Sequence, residues 1–198
     1  MLKPVHLLLA GLLTASLISC ETDTSPRPNA WPRVHYPEAT DTIVFEEPGC
    51  PYTFTLPNYY EIERNVLFFN EKPDDPCWTN LVCKDLNATI YLSNKPLDNS
   101  YSYSQMIEDA YKLTYKHSSR ADFIEPQQIE NQYGVHGLIY FVGGDAASNF
   151  QFFVTDTVSN FVRGALYFNN RPNADSLKPV IQFMVSDIEG MLSSWKWR

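Results

Sequence analysis

The sequence lacks the short motifs that mark the common catalytic and metal sites. It contains no GxSxG nucleophile elbow, no HExxH zinc motif, no Walker loop and no GxGxxG after a predicted strand. The four cysteines lack the CxxC spacing of a zinc site. Asp122, Asp145 and Asp156 do not have the spacing of a calcium-binding loop. We therefore predict a protein that is not an enzyme and that uses no metal and no cofactor.

Positive charge is also in short supply. Fifteen Lys and Arg residues stand against 23 Asp and Glu, which gives a formal net charge of −8 at pH 7. An acidic surface repels a phosphate backbone, so nucleic acid is not expected as a partner. No internal repeat, heptad pattern or low-complexity block appears beyond the N-terminal segment, which argues against a solenoid or a coiled coil.

The apolar run at the N-terminus is too short to span a bilayer. It extends from about Leu7 to Ile18, and a transmembrane helix needs roughly 20 apolar residues. One positive charge precedes it and small residues follow it, as in a secretory signal peptide. It ends in LISC, which resembles the bacterial lipobox, where the thiol receives a diacylglycerol and becomes the new N-terminus. We predict that residues 1–19 are a signal peptide and that Cys20 carries lipid; a plain signal peptide with a free Cys20 is the alternative.

Residues 20–37 form a proline-rich tether in this interpretation. Polyproline II geometry, at about 3.1 Å per residue, would let the tether reach about 50 Å from the bilayer. The alternative is an ordered arm that lies along the domain and docks through Trp31, Val34 or Tyr36. The remaining residues, 38–198, have the length of a single domain.

Three cysteines remain for an oxidising compartment. Cys50 in EPGCPY and Cys77 in PDDPCW both lie beside prolines in turn-like settings. We favour a bridge between these two, with Cys83 buried and free. A bridge between Cys77 and Cys83 across a short loop is the alternative, and the sequence leaves the connectivity open.

Short β-rich runs, separated by Pro, Asn and Asp, predict an antiparallel sheet. The first runs are TIVFE, YTFTLP, VLFF near residue 66, WTNLV near 80 and ATIYLS near 90. Three more follow closely: VHGLIYFV from 135, FQFFVTD from 150 and FVRGALYF from 161. The short connections between these three predict an antiparallel meander.

Two helices complete the predicted fold. Ser102 and Gln105 have the spacing of a capping box at the start of the first helix, whose buried stripe we expect to include Tyr111 and Leu113. Asp175 or Ser176 is the expected cap of the second helix. A glycine at position 190 inside that helix predicts a close packing contact. The fold class is therefore α+β: two helices packed on an antiparallel sheet in one layered domain, an arrangement that resembles the PsbP/Mog1-like folds.

The meander strands are apolar on both faces. Phe150 and Phe152 lie on one side and Phe153 on the other. We favour a sheet that is covered internally on both faces; the alternative is an aromatic patch that faces a partner. Arg163 stands out in an apolar strand, where its stem reaches the rim or its charge pairs with a carboxylate such as Asp145 or Asp156.

Two sets of residues are candidates for binding. The first is a surface for a protein partner, made of Trp78, Asp145, Phe153, Arg163 and Tyr167. The second is an aromatic cleft for a small molecule or a glycan that includes Tyr52, Trp78 or Trp31. Outside these sets, His117 either pairs with Asp122 or caps the dipole of the first helix.

Several motifs together resemble one family of bacterial lipoproteins. They are GCPYTFTLPNY, EKPDDPCW, ATIYLS, YKHSSRAD and the long run from YGVHGLIYFVGGD to LKPVIQF. In this order they resemble the GldD family of gliding-motility lipoproteins over nearly the whole domain. The family pattern has cysteine at the positions of Cys50 and Cys77 and an apolar residue at the position of Cys83, which favours the bridge proposed above.

The resemblance also implies possible glycosylation. DTI, DTV and DSL resemble the envelope O-glycosylation sequence of related bacteria. The acceptors would be Thr42, Thr157 and Ser176. In each case the alternative is a hydroxyl that serves a turn or a helix cap.

Family membership would imply a cell-envelope lipoprotein, anchored by lipid on Cys20 and facing the periplasm. We expect a non-enzymatic interaction or assembly component of the gliding-motility and type IX secretion machinery, with other envelope proteins as partners. The alternative is a periplasmic module that binds a small molecule or a glycan.

Overall fold

Ten strands and two helices make up the computed structural model, which describes residues 33–64, 75 and 77–198. These residues belong to one compact unit, Pro32–Arg198. In chain order the elements are β1 Thr42–Glu46, β2 Tyr52–Pro57, β3 Glu61–Arg64, β4 Thr79–Cys83, β5 Ala88–Pro96, α1 Tyr103–Tyr115, β6 Ala121–Glu130, β7 His136–Gly144, β8 Phe150–Thr155, β9 Asn160–Phe168, α2 Ala174–Ser194 and β10 Lys196–Trp197.

The strands form two antiparallel sheets. A three-stranded sheet has the order β1-β2-β10, and a seven-stranded sheet has the order β3-β4-β5-β9-β8-β7-β6. Strands β7, β8 and β9 are sequential neighbours, which confirms the predicted meander. The predicted α+β architecture, with two helices on antiparallel sheets, is confirmed.

Both faces of the large sheet are covered. Phe150, Phe152 and Val154 of β8 join α2 and the small sheet in the main core. On the opposite face, Phe153 and Phe161 pack under α1, with their ring centroids 5.0 Å apart. All six residues of β8 are therefore buried, because this strand lies between two covered faces. The structure corrects the assignment of Phe153 to a partner surface, since its side chain is only 3% exposed.

Helix α1 starts at the predicted cap. The Ser102 hydroxyl accepts a hydrogen bond from the Gln105 N–H at 3.3 Å. The buried face consists of Met106, Ala110 and Thr114. The buried stripe is narrower than predicted, because α1 packs on the sheet by one side only and leaves Tyr111 and Leu113 exposed.

Helix α2 is capped two or three residues earlier than predicted, by Asn173. The Asn173 side chain accepts from the Ser176 N–H at 3.1 Å, and the Asp145 carboxylate accepts from the Ala174 N–H at 2.8 Å. These two acceptors satisfy first-turn amides that Asp175 or Ser176 cannot reach from inside the helix. The buried face repeats at helical spacing: Val180, Met184, Ile188, Met191 and Leu192.

Three strands are absent from the sequence-based prediction. Strand β6 is an edge strand whose residues are mostly exposed, and Pro126 lies within it. Strands β3 and β10 have four and two residues. None of the three shows the apolar alternation on which the prediction rests. The run predicted as a strand near residue 66 lies outside the described residues.

Stacked aromatic rings fill the space between the small sheet and the C-terminus. Phe45, Tyr52, Phe54 and Trp195 stack with centroid distances between 4.7 and 6.1 Å. Alternation along β2 directs Tyr52 and Phe54 inward. The Tyr52 hydroxyl donates to the carbonyl of Cys77 at 2.7 Å, so its one polar atom is satisfied inside the core.

A disulfide joins the two sheets. Cys50, in the turn between β1 and β2, is bonded to Cys77, two residues before β4, and the two Cα atoms are 5.5 Å apart. This is the pairing that the sequence analysis favours. Cys83 is a free, buried thiol.

The segment that precedes β1 lies against the domain. Val34 packs on the main core, and the ring of Tyr36 is 4.9 Å from that of Phe183 on α2. These contacts favour the docked arm over a free tether for the part near the domain. Trp31 lies outside the described residues.

The disulfide generates a stability prediction. Changing Cys50 and Cys77 to Ser together should lower the free energy of unfolding by about 3–4 kcal/mol, because the bridge closes a loop of 27 residues. Urea denaturation of the mature protein under non-reducing conditions measures this loss. Cys83→Ala is the matched control, which removes a buried thiol without opening a cross-link and should cost about 1 kcal/mol. An equal loss in both variants would contradict a stabilising bridge.

Gly190 generates a second prediction. The expected close contact is wrong: apart from the backbone of its own helix, nothing lies within 4 Å of the position that a Cβ would occupy. Gly190→Ala should therefore raise the free energy of unfolding by up to about 1 kcal/mol, the difference in helix propensity. Thermal denaturation followed by circular dichroism measures the gain. An unchanged or lower melting temperature would contradict this account.

Candidate functional site

A cleft opens between α1 and the face of the large sheet on which α1 lies. Its volume is about 590 Å³. The sheet contributes side chains from β5 and β9, and Trp78 closes one end. The lining residues are Trp78, Ser93, Lys95, Tyr101, Met106, Asp109, Ala110, Leu113, Lys116, His117, Phe161, Arg163 and Tyr167.

Strand register explains why these side chains meet. In the antiparallel pair of β5 and β9, Ser93 lies opposite Arg163 and Lys95 lies opposite Phe161. Because side chains alternate along a strand, Phe161, Arg163 and Tyr167 all project from the same face. The cleft therefore has a rigid floor made by two central strands.

Three of the five residues predicted as a partner surface meet here: Trp78, Arg163 and Tyr167. The other two do not. Phe153 is buried under α1, and Asp145 caps α2 at a separate place. Tyr52, predicted for an aromatic ligand cleft, is wrong as a lining residue because it is fully buried in the main core.

Arg163 is the most unusual group of the cleft. It donates a hydrogen bond to the side-chain oxygen of Gln151, which is 1% exposed. Neither predicted carboxylate reaches it: Asp145 is held by the first turn of α2, and Asp156 accepts backbone N–H groups of its own turn. In the part of the chain that the structure describes, no ion pair involves Arg163. Burial lowers the pKa of its guanidinium, and the nearby Tyr167 hydroxyl partly offsets this effect.

Three basic side chains, Lys95, Lys116 and Arg163, line the cleft together with the carboxylate of Asp109. Lys95 lies over two rings, with its Nζ 5.1 Å from the centre of Trp78 and 4.8 Å from that of Tyr101. Basic side chains are therefore gathered here on a chain whose net charge is −8.

Trp78 is held in place by its polar edge. Its indole N–H donates to the Asn94 carbonyl at 2.7 Å. The Asn94 amide in turn donates to Asp75 at 3.0 Å. These bonds fix the orientation of the ring at the end of the cleft.

His117 is part of the cleft and does not pair with Asp122. It lies in a short 3₁₀ turn, Lys116–Ser119, that follows α1. Burial, and then the charge of Arg163, lower the pKa of its imidazole. Both effects favour the neutral form of the His117 imidazole.

Sequence reasoning missed Lys95, Tyr101, Lys116 and Gln151. A signal for two of them was present. In the run TIYLSNK the polar residues of β5 alternate with Ile90 and Leu92, which assigns Lys95 to the face opposite the main core. A glutamine amid the apolar residues of FQFFVT likewise indicates a polar partner under the first helix.

A second depression, of about 610 Å³, is acidic. It lies between the start of α2 and the turn that follows β7, and it brings together Asp122, Asp145 and Asp175 with Arg120. Asp156 is elsewhere, in the turn between β8 and β9. Within residues 33–64, 75 and 77–198, no group of three or more His, Cys, Asp or Glu side chains is arranged to hold a metal ion.

Comparison with protein families decides the relationship of the chain. The family model for gliding motility lipoprotein GldD matches residues 21–197, and the match begins directly after Cys20. The chain belongs to the GldD family. This confirms the resemblance drawn from the sequence motifs and makes the protein a gliding-motility lipoprotein.

Two further comparisons complete the picture. The search of the curated proteins gave no match. Among solved structures, the chain is similar to the solution structure of cyanobacterial PsbP (CyanoP) from Synechocystis sp. PCC 6803, with 11% identity and a TM-score of 0.46 over 92% of this chain and 99% of that chain.

The structure describes no helix that is both long enough and apolar enough to cross a membrane. The three hydroxyls suggested as glycan acceptors of this GldD-family protein all lie at or near turns and caps. Thr42 begins β1, Thr157 lies in the β8–β9 turn with φ of 65°, and the Ser176 N–H is bonded to the cap of α2. Thr42 and Thr157 are exposed, and Ser176 is partly buried.

A buried carboxylate ties α2 to the turn between β2 and β3. Asp187 accepts hydrogen bonds from the hydroxyls of Tyr59 and Tyr60 at 2.6 and 2.9 Å. Burial raises the pKa of Asp187, although both hydroxyls lower it. Both tyrosines have raised pKa values, so their hydroxyls stay protonated. The two hydrogen bonds hold α2 against the turn between β2 and β3.

The Asp187 cluster generates a prediction of pH dependence. Between the ordinary pKa of Asp, about 3.9, and the raised value, the folded state holds one more proton than the unfolded state. The contribution of Asp187 to stability is thus fully present at acid pH and is lost as the pH rises through the raised pKa. The Asp187→Asn variant has no carboxyl group to titrate at this position, so it does not lose this stability. The difference in free energy of unfolding, variant minus wild type, should therefore increase from pH 4 to 7. Urea denaturation at several pH values measures it, and a constant difference would contradict the raised pKa.

Proposed function

We propose that this GldD-family lipoprotein acts by binding other envelope proteins of the gliding and type IX secretion machinery, without catalysing a reaction. Lipid on Cys20 would hold the domain at the bilayer surface on its periplasmic side. Two or more acyl chains, at about 0.8 kcal/mol per buried methylene, provide a stable anchor. The domain would then meet its partners in a layer close to the membrane.

The cleft beside α1 is the observation that carries this proposal. Arg, Tyr and Trp are the residues enriched at the centres of protein interfaces, and Arg163, Tyr167 and Trp78 all line this cleft. The floor consists of two central strands, so it is rigid before a partner arrives. Its positive charge would steer an acidic partner toward it.

A second candidate function is supported by the size of the same cleft. A volume of about 590 Å³ lies within the range of small-molecule sites, and the aromatic rings of Trp78 and Tyr101 suit the C–H face of a sugar ring or a small aromatic molecule. The protein would then be a periplasmic binding module. The two functions differ in what occupies the cleft in the cell.

In-cell photo-crosslinking distinguishes the two candidates. Lys116 is exposed at the rim of the cleft, and Lys178 is exposed on α2, which packs on the opposite face of the sheet. The photoreactive residue p-benzoylphenylalanine should capture an envelope protein when it replaces Lys116 and not when it replaces Lys178. Mass spectrometry of the products identifies the captured protein.

Two controls accompany the crosslinking. Cys20→Ala should move the protein out of the membrane fraction and reduce capture, because the domain is then no longer held near its partners. Capture of the same proteins from both positions would contradict a partner site at the cleft. If the photoreactive residue at position 116 captures no protein and a small molecule or a glycan occupies the cleft, the binding module is favoured.

A further inference from the structure

Arg163 carries a charge that the described part of the chain leaves without a carboxylate partner. Its side chain makes one hydrogen bond there, to the neutral oxygen of Gln151. A buried charge is costly unless it is paired and hydrogen-bonded. The fold therefore holds a partly buried cation at the floor of the cleft, with one neutral hydrogen-bond partner, and an anion bound in the cleft would balance its charge.

The orientation of Arg163 is fixed by its neighbours. Gln151 lies diagonally across from it on β8, and the same Gln151 oxygen contacts the Thr114 hydroxyl of α1 at 3.3 Å. The hydrogen bond from Arg163 to Gln151 uses one of the five N–H donors of the guanidinium. The other donors are available to a ligand in the cleft. Gln151 is thus a positioning residue for Arg163.

The walls next to Arg163 are apolar. Helix α1 contributes Met106, Ala110 and Leu113, and β9 contributes Phe161. A ligand that places an anionic group beside Arg163 would therefore fit best if it also placed an apolar group against these walls. A planar guanidinium fork matches a carboxylate in a bidentate geometry, and a carboxylate attached to an apolar group suits a site with apolar walls.

We infer that the cleft binds a carboxylate that adjoins an apolar or aromatic group, with Arg163 holding the carboxylate. The inference rests on the proposed function, and the carrier is accordingly an acidic peptide segment of a partner protein. Its acidic side chain contacts Arg163, and the neighbouring apolar side chain lies against Leu113 and Phe161. Lys116, which is exposed, adds attraction at the rim.

Peptide binding to the mature, lipidated protein in detergent tests the inference. The probes are Ac-Phe-Asp-Phe-Asp-NH2 and its neutral counterpart Ac-Phe-Asn-Phe-Asn-NH2, with 3-phenylpropanoate as a free small acid. Calorimetry gives the affinities, and the Nε–H resonance of Arg163 in NMR spectra reports contact at the guanidinium. We expect the acidic peptide to bind at least about tenfold more tightly than the neutral one and to shift that resonance.

Variants assign the effect to Arg163. Arg163→Gln should lower the affinity for the acidic peptide by at least about tenfold, and Arg163→Lys should retain part of it, because a point charge replaces a fork. Gln151→Leu should weaken binding less than Arg163→Gln does. Arg171→Gln removes an exposed charge outside the cleft and should leave binding unchanged. Thermal denaturation establishes that each variant is folded. If Arg163→Gln does not fold, the loss of affinity is measured with Arg163→Lys instead.

The possible outcomes separate this inference from the proposed function. Equal binding of the two peptides, equal binding by wild type and Arg163→Gln, or no shift of the Arg163 resonance at millimolar probe would overturn the carboxylate site. Tighter binding of 3-phenylpropanoate than of the peptide would overturn the peptide carrier. If peptides bind as expected but Lys116 captures no protein in cells, the proposed function fails and the site stands. If capture persists in the Arg163→Gln strain, the partner binds by other contacts and this inference fails.

Discussion

Strand β8, near the centre of the large sheet, is buried on both faces, and the rest of the fold follows from the need to cover it. Strand β8 has six buried residues, with aromatic rings on either side. One face takes α2 together with the small sheet, and the other takes α1. The second cover is thinner, because a single helix of 13 residues cannot conceal a whole face of the sheet. The cleft lies between α1 and the floor formed by β5 and β9.

This arrangement gives the large sheet a face that is packed throughout and a face that bears the proposed binding cleft. The side of the packed face contains the stacked aromatic rings around Tyr52, the disulfide between Cys50 and Cys77, and the carboxylate of Asp187 with its two tyrosines. The side of the cleft contains the polar residues that β5 and β9 direct under α1. Arg163 is tolerated there because its neighbours fix its orientation and because the strands beneath it are held from behind.

Local patterns in the sequence account for most of the fold. Alternation along the meander, the Ser102 cap and the apolar spacing of α2 were sufficient to predict those elements. Strand β6 has no such pattern, since it lies at an edge and is mostly exposed, and its pairing to β7 depends on a partner already in place. The cap at Asn173 escaped prediction because Asp145, which is distant in sequence, supplies the second acceptor. In the cleft, the odd charge of Arg163 was visible, but its partner Gln151 depends on a diagonal register that only the assembled sheet defines.

The edge strand β6 of the large sheet matters for a protein that is anchored at a membrane. A lipid anchor confines many copies to a thin layer, where their effective concentration is high and a free strand edge would recruit its neighbours into aggregates. Strand β6 carries Pro126, which removes one backbone donor, together with the charges of Asp122, Glu125 and Glu130 along its length. These features discourage another strand from pairing at that edge. Crowding at the bilayer therefore does not lead neighbouring molecules to pair through the β6 edge.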